Sequence, residues 1–214
     1  VPFIIYILTF LGAFLLGSLP TGFLVARARG IDIRTVGSGN IGATNAMRVL
    51  GKPAGIFVLF MDALKGFAAV WICAKIVPDL SVAASVAQAD PIVAGIGVVL
   101  GHNYTPWLKF KGGKGIATTA GVYLALAPLP LGVAFVVFAL ALLVTRYVSV
   151  GSITAAIALV VSVWIWQPQN VLLGIVTTAL GALAIYKHKG NIKRLMAGTE
   201  NRFGQKAPNA GGTK

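Results

Sequence analysis

The chain has 214 residues, of which 57% are hydrophobic and 11% charged, with 18 Lys and Arg against 5 Asp and Glu and a formal net charge of +13. A soluble domain carries roughly 25% charged residues, so an ordinary cytosolic domain is excluded, and a disordered chain more firmly. The composition is that of an integral membrane protein.

The first 26 residues contain no Lys or Arg, and Arg27 and Arg29 follow the apolar stretch. A signal peptide carries its charge in front, so this order predicts a retained helix with its N-terminus outside. Apolar runs long enough to suggest spans follow at roughly 53–77, 91–107, 116–128, 130–146, 148–166 and 170–186, after a first at 3–26. The fourth and fifth are short and divided only by Pro128 and Pro130, so two short helices or one broken one are both open. Seven spans starting outside place sixteen of the eighteen cations on one side, in segments 27–52, 108–115, 146–147 and 187–214. The opposite loops, 78–90, 128–130 and 167–169, carry only Asp79 and Asp90. The basic side is therefore expected to be cytoplasmic. That pattern accounts for the charge without nucleic acid. The single cysteine, Cys73, permits neither an intrachain disulfide nor a Cys-based metal site.

Three polar segments share the basic face. The first runs from Arg34 to Lys52. Its Gly37-x-Gly39-x-x-Gly42 formally matches a dinucleotide fingerprint, with Asp62 twenty residues on. That fingerprint needs a preceding strand and a βαβ unit, and here a span precedes it. The segment still offers hydrogen bonds from Ser38, Asn40, Thr44 and Asn45, and a guanidinium fork from Arg48 for phosphate or carboxylate. For Asn40 and Asn45, helix capping and ligand contact are both open.

The second segment centres on Lys111-Gly112-Gly113-Lys114-Gly115. It lacks the Ser or Thr of a Walker A loop. Successive glycine N–H groups before a helix starting at Ile116 would form an anion nest. Lys109 reads as an anchor, and His102 as a structural hydrogen-bond partner near a helix end. In the third segment His188 and Asn191 are spaced to share a helix face. Glu200 is the lone acid of the C-terminal half, while Lys189 and Lys193 suit anionic lipid. Asp62 and Lys65, inside the second span, are expected to pair.

Taken in order, Gly-Ser-Gly-Asn-Ile-Gly-Ala-Thr-Asn at 37–45 with Arg48, Gly-His-Asn at 101–103 followed by Lys-Phe-Lys-Gly-Gly-Lys-Gly at 109–115, and His188 with Asn191 and Glu200 resemble the three cytoplasmic motifs of one family. It is the bacterial acyl-phosphate-dependent glycerol-3-phosphate acyltransferases of the inner membrane. The resemblance implies an all-α seven-span bundle, one domain over 1–214 with a short polar tail at about 205–214. It implies acylation of the sn-1 hydroxyl of glycerol 3-phosphate by acyl phosphate, giving lysophosphatidic acid and phosphate, without cofactor or metal. Functional coupling to the enzyme that makes acyl phosphate goes with it.

The resemblance assigns Ser38, Arg48, Lys114, His188 and Asn191 to the catalytic site. Asn40, Thr44, Asn45, Lys111, Gly112, Gly113, Gly115 and Glu200 join them as substrate-binding residues. It carries no catalytic role onto Asn103 or Tyr104. An acyl phosphate is already activated, so orientation and charge neutralisation are the expected contributions. Substrate-assisted proton transfer is favoured, with His188 as a positioning hydrogen-bond donor, and no covalent acyl-Ser38 is expected. The rival reading is a small transporter for a phosphorylated metabolite. It is disfavoured because the polar residues lie at one face rather than at mid-depth.

Overall fold

A computed structural model describes residues 2–79 and 84–204. The expected tail at 205–214 and part of the loop after the second span lie outside the described residues. The described chain is all helical. In order the helices are α1 (Pro2–Gly17), α2 (Thr21–Arg27), α3 (Ala43–Leu50), α4 (Lys52–Asp79) and α5 (Ala84–Asn103). A 3₁₀ turn follows at Pro106–Leu108. Then come α6 (Ile116–Leu126), α7 (Pro128–Thr145), α8 (Val148–Trp166), α9 (Val171–Lys187) and α10 (Lys189–Met196).

Among the described residues, four stretches are long and apolar enough to cross a bilayer: Phe3–Arg27, Lys52–Ile76, Pro128–Thr145 and Val148–Trp166. Helices α9 and α10, bent by 50° at His188, make a fifth if the pair is counted as one. Large apolar side chains such as Phe3, Phe60, Phe135 and Leu143 are exposed along these helices. Water would not tolerate such continuous apolar surface, whereas lipid does.

Several expected boundaries are corrected. The first run breaks at Ser18–Pro20, where Pro20 has no N–H to continue the ladder. The third begins earlier than expected, so Asp90 is not in a loop. It is fully buried within α5, where its carboxylate accepts from Thr9 (2.8 Å) and from the Cys73 thiol (2.6 Å). The fourth and fifth runs are two helices parted at Ala127, with Pro128 at the first position of α7, where proline is pre-set for a helix start. Helix α6, with 11 residues, rises only about 16 Å and covers half the depth of a bilayer core.

Packing is close because small residues stand at the crossings. α1 lies on α5, α4 on α5 and α6, and α7, α8 and α9 stack in sequence. A side chain at Gly101 would meet the Phe14 carbonyl at 2.1 Å, and one at Gly55 would meet the Met47 backbone at 2.6 Å. Those absences let α1 and α5 approach, and let the short α3 fold back onto α4. The result gathers the C-terminal ends of α5, α7 and α9 with the N-terminal ends of α3, α4, α6 and α8 at one end of the bundle.

Candidate active site

At that end lies a cavity of about 170 Å³, lined by residues from all three polar segments. Ser38, Asn40, Thr44, Asn45, Arg48, Lys114, Gly115, His188, Asn191 and Glu200 all reach it. Lys111, Gly112 and Gly113 do not.

The first segment is organised by Asn45, which is 1% exposed. Its carboxamide oxygen accepts from the Ser38 N–H (2.8 Å), and its nitrogen donates to the carbonyls of Val36 (3.1 Å) and Asn40 (2.9 Å). Asn40 in turn accepts from the Gly42 N–H at 2.8 Å, turning the chain into α3. Both asparagines, left open between capping and ligand contact, spend these groups on the loop. Ser38, Thr44 and Arg48, with the Asn40 carboxamide nitrogen, are the side-chain groups of this segment left for a ligand. The Arg48 Nε is buried without a hydrogen-bond partner, which is costly unless an anion completes it. Burial lowers Arg48 from its ordinary value, and Glu200 partly offsets that.

The second segment departs from the expected nest. The N–H of Gly112 donates to the Asn103 carbonyl (3.2 Å) and that of Gly113 to the His102 carbonyl (3.1 Å). These donors are therefore not free for an anion. Lys111 points away and is exposed. What the loop does present is Lys114 and the N-terminal end of α6, entered through Gly115 in the left-handed region (φ 81°). The first turns of α3 and α6 both border the cavity, and N–H groups at a helix start lack i−4 partners, although in α3 the Asn45 N–H donates to the Gly42 carbonyl at 3.1 Å. Two helix N-termini, Arg48 and Lys114 thus converge on one small volume, an arrangement suited to phosphate.

The third segment supplies the opposite wall. The Lys114 ammonium donates to the Asn191 carboxamide oxygen. The Asn191 nitrogen donates to Glu200 at 2.6 Å, and Glu200 also accepts from Ser149 (3.0 Å) and Arg194 (2.7 Å). Burial works to raise Glu200, but hydrogen bonds from Asn191, Arg194 and Ser149 outweigh it and hold the carboxyl below its ordinary value. Its oxygens are taken by protein donors. Glu200, expected to bind substrate, instead orients Asn191.

Burial, opposed in part by Glu200 and reinforced by Arg194, Lys187 and Arg48, brings Lys114 down to about 8. His188 is 2% exposed. Its Nδ1 lies 2.8 Å from the Ala184 carbonyl, which can only accept, so Nδ1 carries the hydrogen. Burial and the neighbouring Lys114 bring the imidazole down to about 4. At neutral pH the ring is uncharged, and Nε2 is its remaining acceptor. The expectation of His188 as a donor is reversed: toward a ligand it accepts.

Asp62 and Lys65 form the expected buried pair at 2.8 Å, and Thr21 donates to Asp62 at 3.3 Å. Asp62, His102, Ser149, Ser152 and Phe138 also line the cavity, and none was singled out for the site from sequence. Ser149 and Ser152 had a legible signal, being hydroxyls three apart at the start of an apolar span. Among the described residues, no three His, Cys, Asp or Glu converge to hold a metal.

An apolar groove of about 360 Å³ continues from the cavity between α6, α7, α8 and α9, sharing Leu59, Ile116, Ala117, Phe138 and Ser152 with it. The molecule is thus a helical membrane protein with a cavity carrying Arg48 and Lys114 at one end of an apolar groove. Residues 7–198 match the family model described as glycerol-3-phosphate acyltransferase. The chain is 46% identical over 198 residues to the glycerol-3-phosphate acyltransferase of Geotalea daltonii, covering 92% of this chain and 97% of that one. It is 48% identical over 193 residues to that of Geobacter sulfurreducens, covering 89% and 94%. The crystal structure of PlsY (YgiH), an integral membrane glycerol 3-phosphate acyltransferase, superposes in its glycerol 3-phosphate form with a TM-score of 0.84. That match is at 40% identity and covers 93% of this chain and 96% of that chain. The lysophosphatidic acid form gives 0.80 at 40% identity, covering 93% and 95%. The chain belongs to the glycerol-3-phosphate acyltransferase family of integral membrane enzymes.

Proposed function

We propose that this glycerol-3-phosphate acyltransferase, whose product is lysophosphatidic acid, takes its acyl group from acyl phosphate. The observation that carries the reading is the continuity of a 170 Å³ cationic cavity with a 360 Å³ apolar groove. A phosphate-bearing head and an acyl chain fit the two in one pose. Arg48, Lys114 and Ser38 hold the phosphates, Asn191 and His188 receive the glycerol backbone, and the groove takes the chain. Asn40, Asn45 and Glu200 act through the residues they hold.

In the reaction the sn-1 hydroxyl oxygen attacks the acyl carbonyl carbon. The bond from that carbon to the phosphate oxygen breaks, and phosphate leaves with the electron pair. The hydroxyl proton must go to a base. The His188 Nε2 can accept a hydrogen bond from it, but an imidazole at about 4 holds a proton roughly a hundredfold less firmly than a phosphate with a second pKa of about 6. The proton therefore ends on a phosphate oxygen, and His188 aims the hydroxyl. Lys114, Arg48 and the N-terminal N–H groups of α6 neutralise the charge that develops.

The finer setting rests on the charge pattern for topology and on the family resemblance for the rest. The whole chain 1–214 is one domain in the bacterial inner membrane, with seven spans, the N-terminus outside and the site facing the cytoplasm, coupled to the enzyme that makes acyl phosphate. Two measurements test this. Purified protein with glycerol 3-phosphate should form lysophosphatidic acid from acyl phosphate and little from acyl-CoA; equal kcat/KM for both donors would overturn the donor assignment. In a Cys73→Ser background, Ala84→Cys and Asn209→Cys should label from opposite sides of intact cells, and labelling of both from the periplasm would overturn the topology.

A further inference from the structure

The two glycines before Lys114 are unexplained by the substrate site, because neither lines it. Gly113 does not have a positive φ, so an alanine there would suffer no backbone strain. The nearest obstacle is one side chain. A Cβ at Gly113 would lie 2.1 Å from His102 Nε2, 2.8 Å from Cε1 and 3.0 Å from Cδ2. The backbone at Gly113 therefore rests on the imidazole ring and is pinned there by its N–H bond to the His102 carbonyl, at 3.1 Å.

The ring is itself held. His102 is 5% exposed, and its Nδ1 makes no hydrogen bond but faces Asp62 Oδ1 at 3.6 Å. Asp62 is fixed by Lys65 (2.8 Å) and Thr21 (3.3 Å), and Lys65 also donates to the Leu19 carbonyl at 2.9 Å. Elements α2, α4 and α5 thus set the position of one buried imidazole, and that imidazole seats the residue adjacent to Lys114.

We propose that His102, oriented by Asp62, is a positioning residue for Lys114: its ring is the seat that fixes the height of the 112–115 loop, and Gly113 is glycine to fit it. This rests on the reading that Lys114 binds substrate phosphate. Groups facing Lys114 are Glu200, Arg194, Lys187, Arg48 and His188, with neutral Asn191 in contact. Loosening the seat lets Lys114 move toward water, away from the burial that lowers it.

The test is a double-mutant cycle on the purified full chain, read as kcat and KM for glycerol 3-phosphate across pH. Gly113→Ala should lower kcat/KM by about 10–100-fold, the scale on which a misplacement of about 1 Å acts. His102→Ala should cost less. Gly113→Ala combined with His102→Ala should recover much of the Gly113→Ala loss, because the added methyl occupies the space the ring vacates. Additive losses would overturn the proposal.

A second readout does not depend on Gly113→Ala folding. The wild-type enzyme should lose kcat/KM for glycerol 3-phosphate as pH rises through about 8, where Lys114 deprotonates. That alkaline limb should move upward in His102→Ala, and less so in Asp62→Asn. A limb that stays in place while kcat/KM falls means the ring is merely structural, and the proposal fails. Lys114→Ala separates the two readings. If it leaves KM unchanged, the phosphate assignment fails, while the cycle still reports whether Gly113 and His102 are coupled.

Discussion

The polar cavity and the apolar groove share a border of five residues, yet they are built by different means. The cavity is assembled from segments 38–48, 102–115 and 188–201 with Asp62, Phe138, Ser149 and Ser152 between them, and many of its polar groups are oriented by another. Asn45 shapes the first segment, Glu200 holds Asn191, and Asn191 meets Lys114. The groove is made of helix faces: Ile116 to Tyr123, Phe138 to Leu131, Ser152 to Leu159 and Ala184 to Thr177 all line it. Each of these runs covers about 10 Å of rise. One polar pair marks its depth, the Tyr123 hydroxyl donating to Thr177 at 2.6 Å. The contrast separates two energetic regimes. Charged groups in the cavity pay desolvation and need fixed partners, so single changes there should be severe. Groove residues contribute shape, and changes there should be graded.

The largest effect is expected at Arg48, whose buried Nε awaits a partner. Arg48→Ala should lower kcat/KM about 10²–10³-fold, or ~3–4 kcal/mol, and Arg48→Lys should recover little because ammonium lacks the planar fork. Steady-state kinetics with both substrates measures this, and near-normal Arg48→Ala activity would remove the residue from the site. Glu200→Gln comes next. It keeps shape but removes the carboxylate that orders Asn191, Ser149 and Arg194, and a charge-assisted hydrogen bond contributes about 1.5–3 kcal/mol. The loss should appear with both substrates; a loss confined to stability would separate Glu200 from catalysis.

The pH profile sharpens the comparison from the acid side. The acceptor form of His188 is neutral, and it persists until pH falls to about 4. A limb of kcat/KM near 6 therefore belongs to substrate phosphate, with its second pKa of about 6. That limb should remain in His188→Gln, whose rate should fall only about tenfold, below the roughly 10²–10⁴-fold that a lost general base would cost. Disappearance of the limb together with a thousandfold drop in rate would make His188 the base.

In the groove, Ala156→Phe should fill space the acyl chain needs. The KM for long-chain acyl phosphate should rise about tenfold, the scale of one or two methylenes in an apolar pocket. The KM for glycerol 3-phosphate should stay put; equal rises in both would mean the two regions are not separate subsites. The smallest effect is expected for Tyr123→Phe. Thr177 retains its bond to the Leu173 carbonyl at 2.6 Å, so the cost should be about 0.6 kcal/mol, the typical value for hydrogen bonds between membrane helices. Thermal unfolding in detergent reads it.

Sequence by itself determined the membrane class, the clustering of three polar segments at one end and the pairing of Asp62 with Lys65. These depend on composition and local spacing, which survive without knowledge of contacts. Ser38, Arg48, Lys114, His188 and Asn191, named together from the family resemblance, all line the one cavity. What each group does with its lone pairs and hydrogens was not legible. Gly112 and Gly113 looked like anion donors, but their N–H groups are consumed by the end of α5. Glu200 looked like a ligand group, but its oxygens are taken by Asn191, Ser149 and Arg194. His188 looked like a donor until the Ala184 carbonyl claimed its Nδ1 hydrogen. Asp90 looked like a loop residue and is buried between α1 and α4. In each case the deciding partner lies on another element or another turn, and a hydrogen bond can be assigned only when both of its ends are placed.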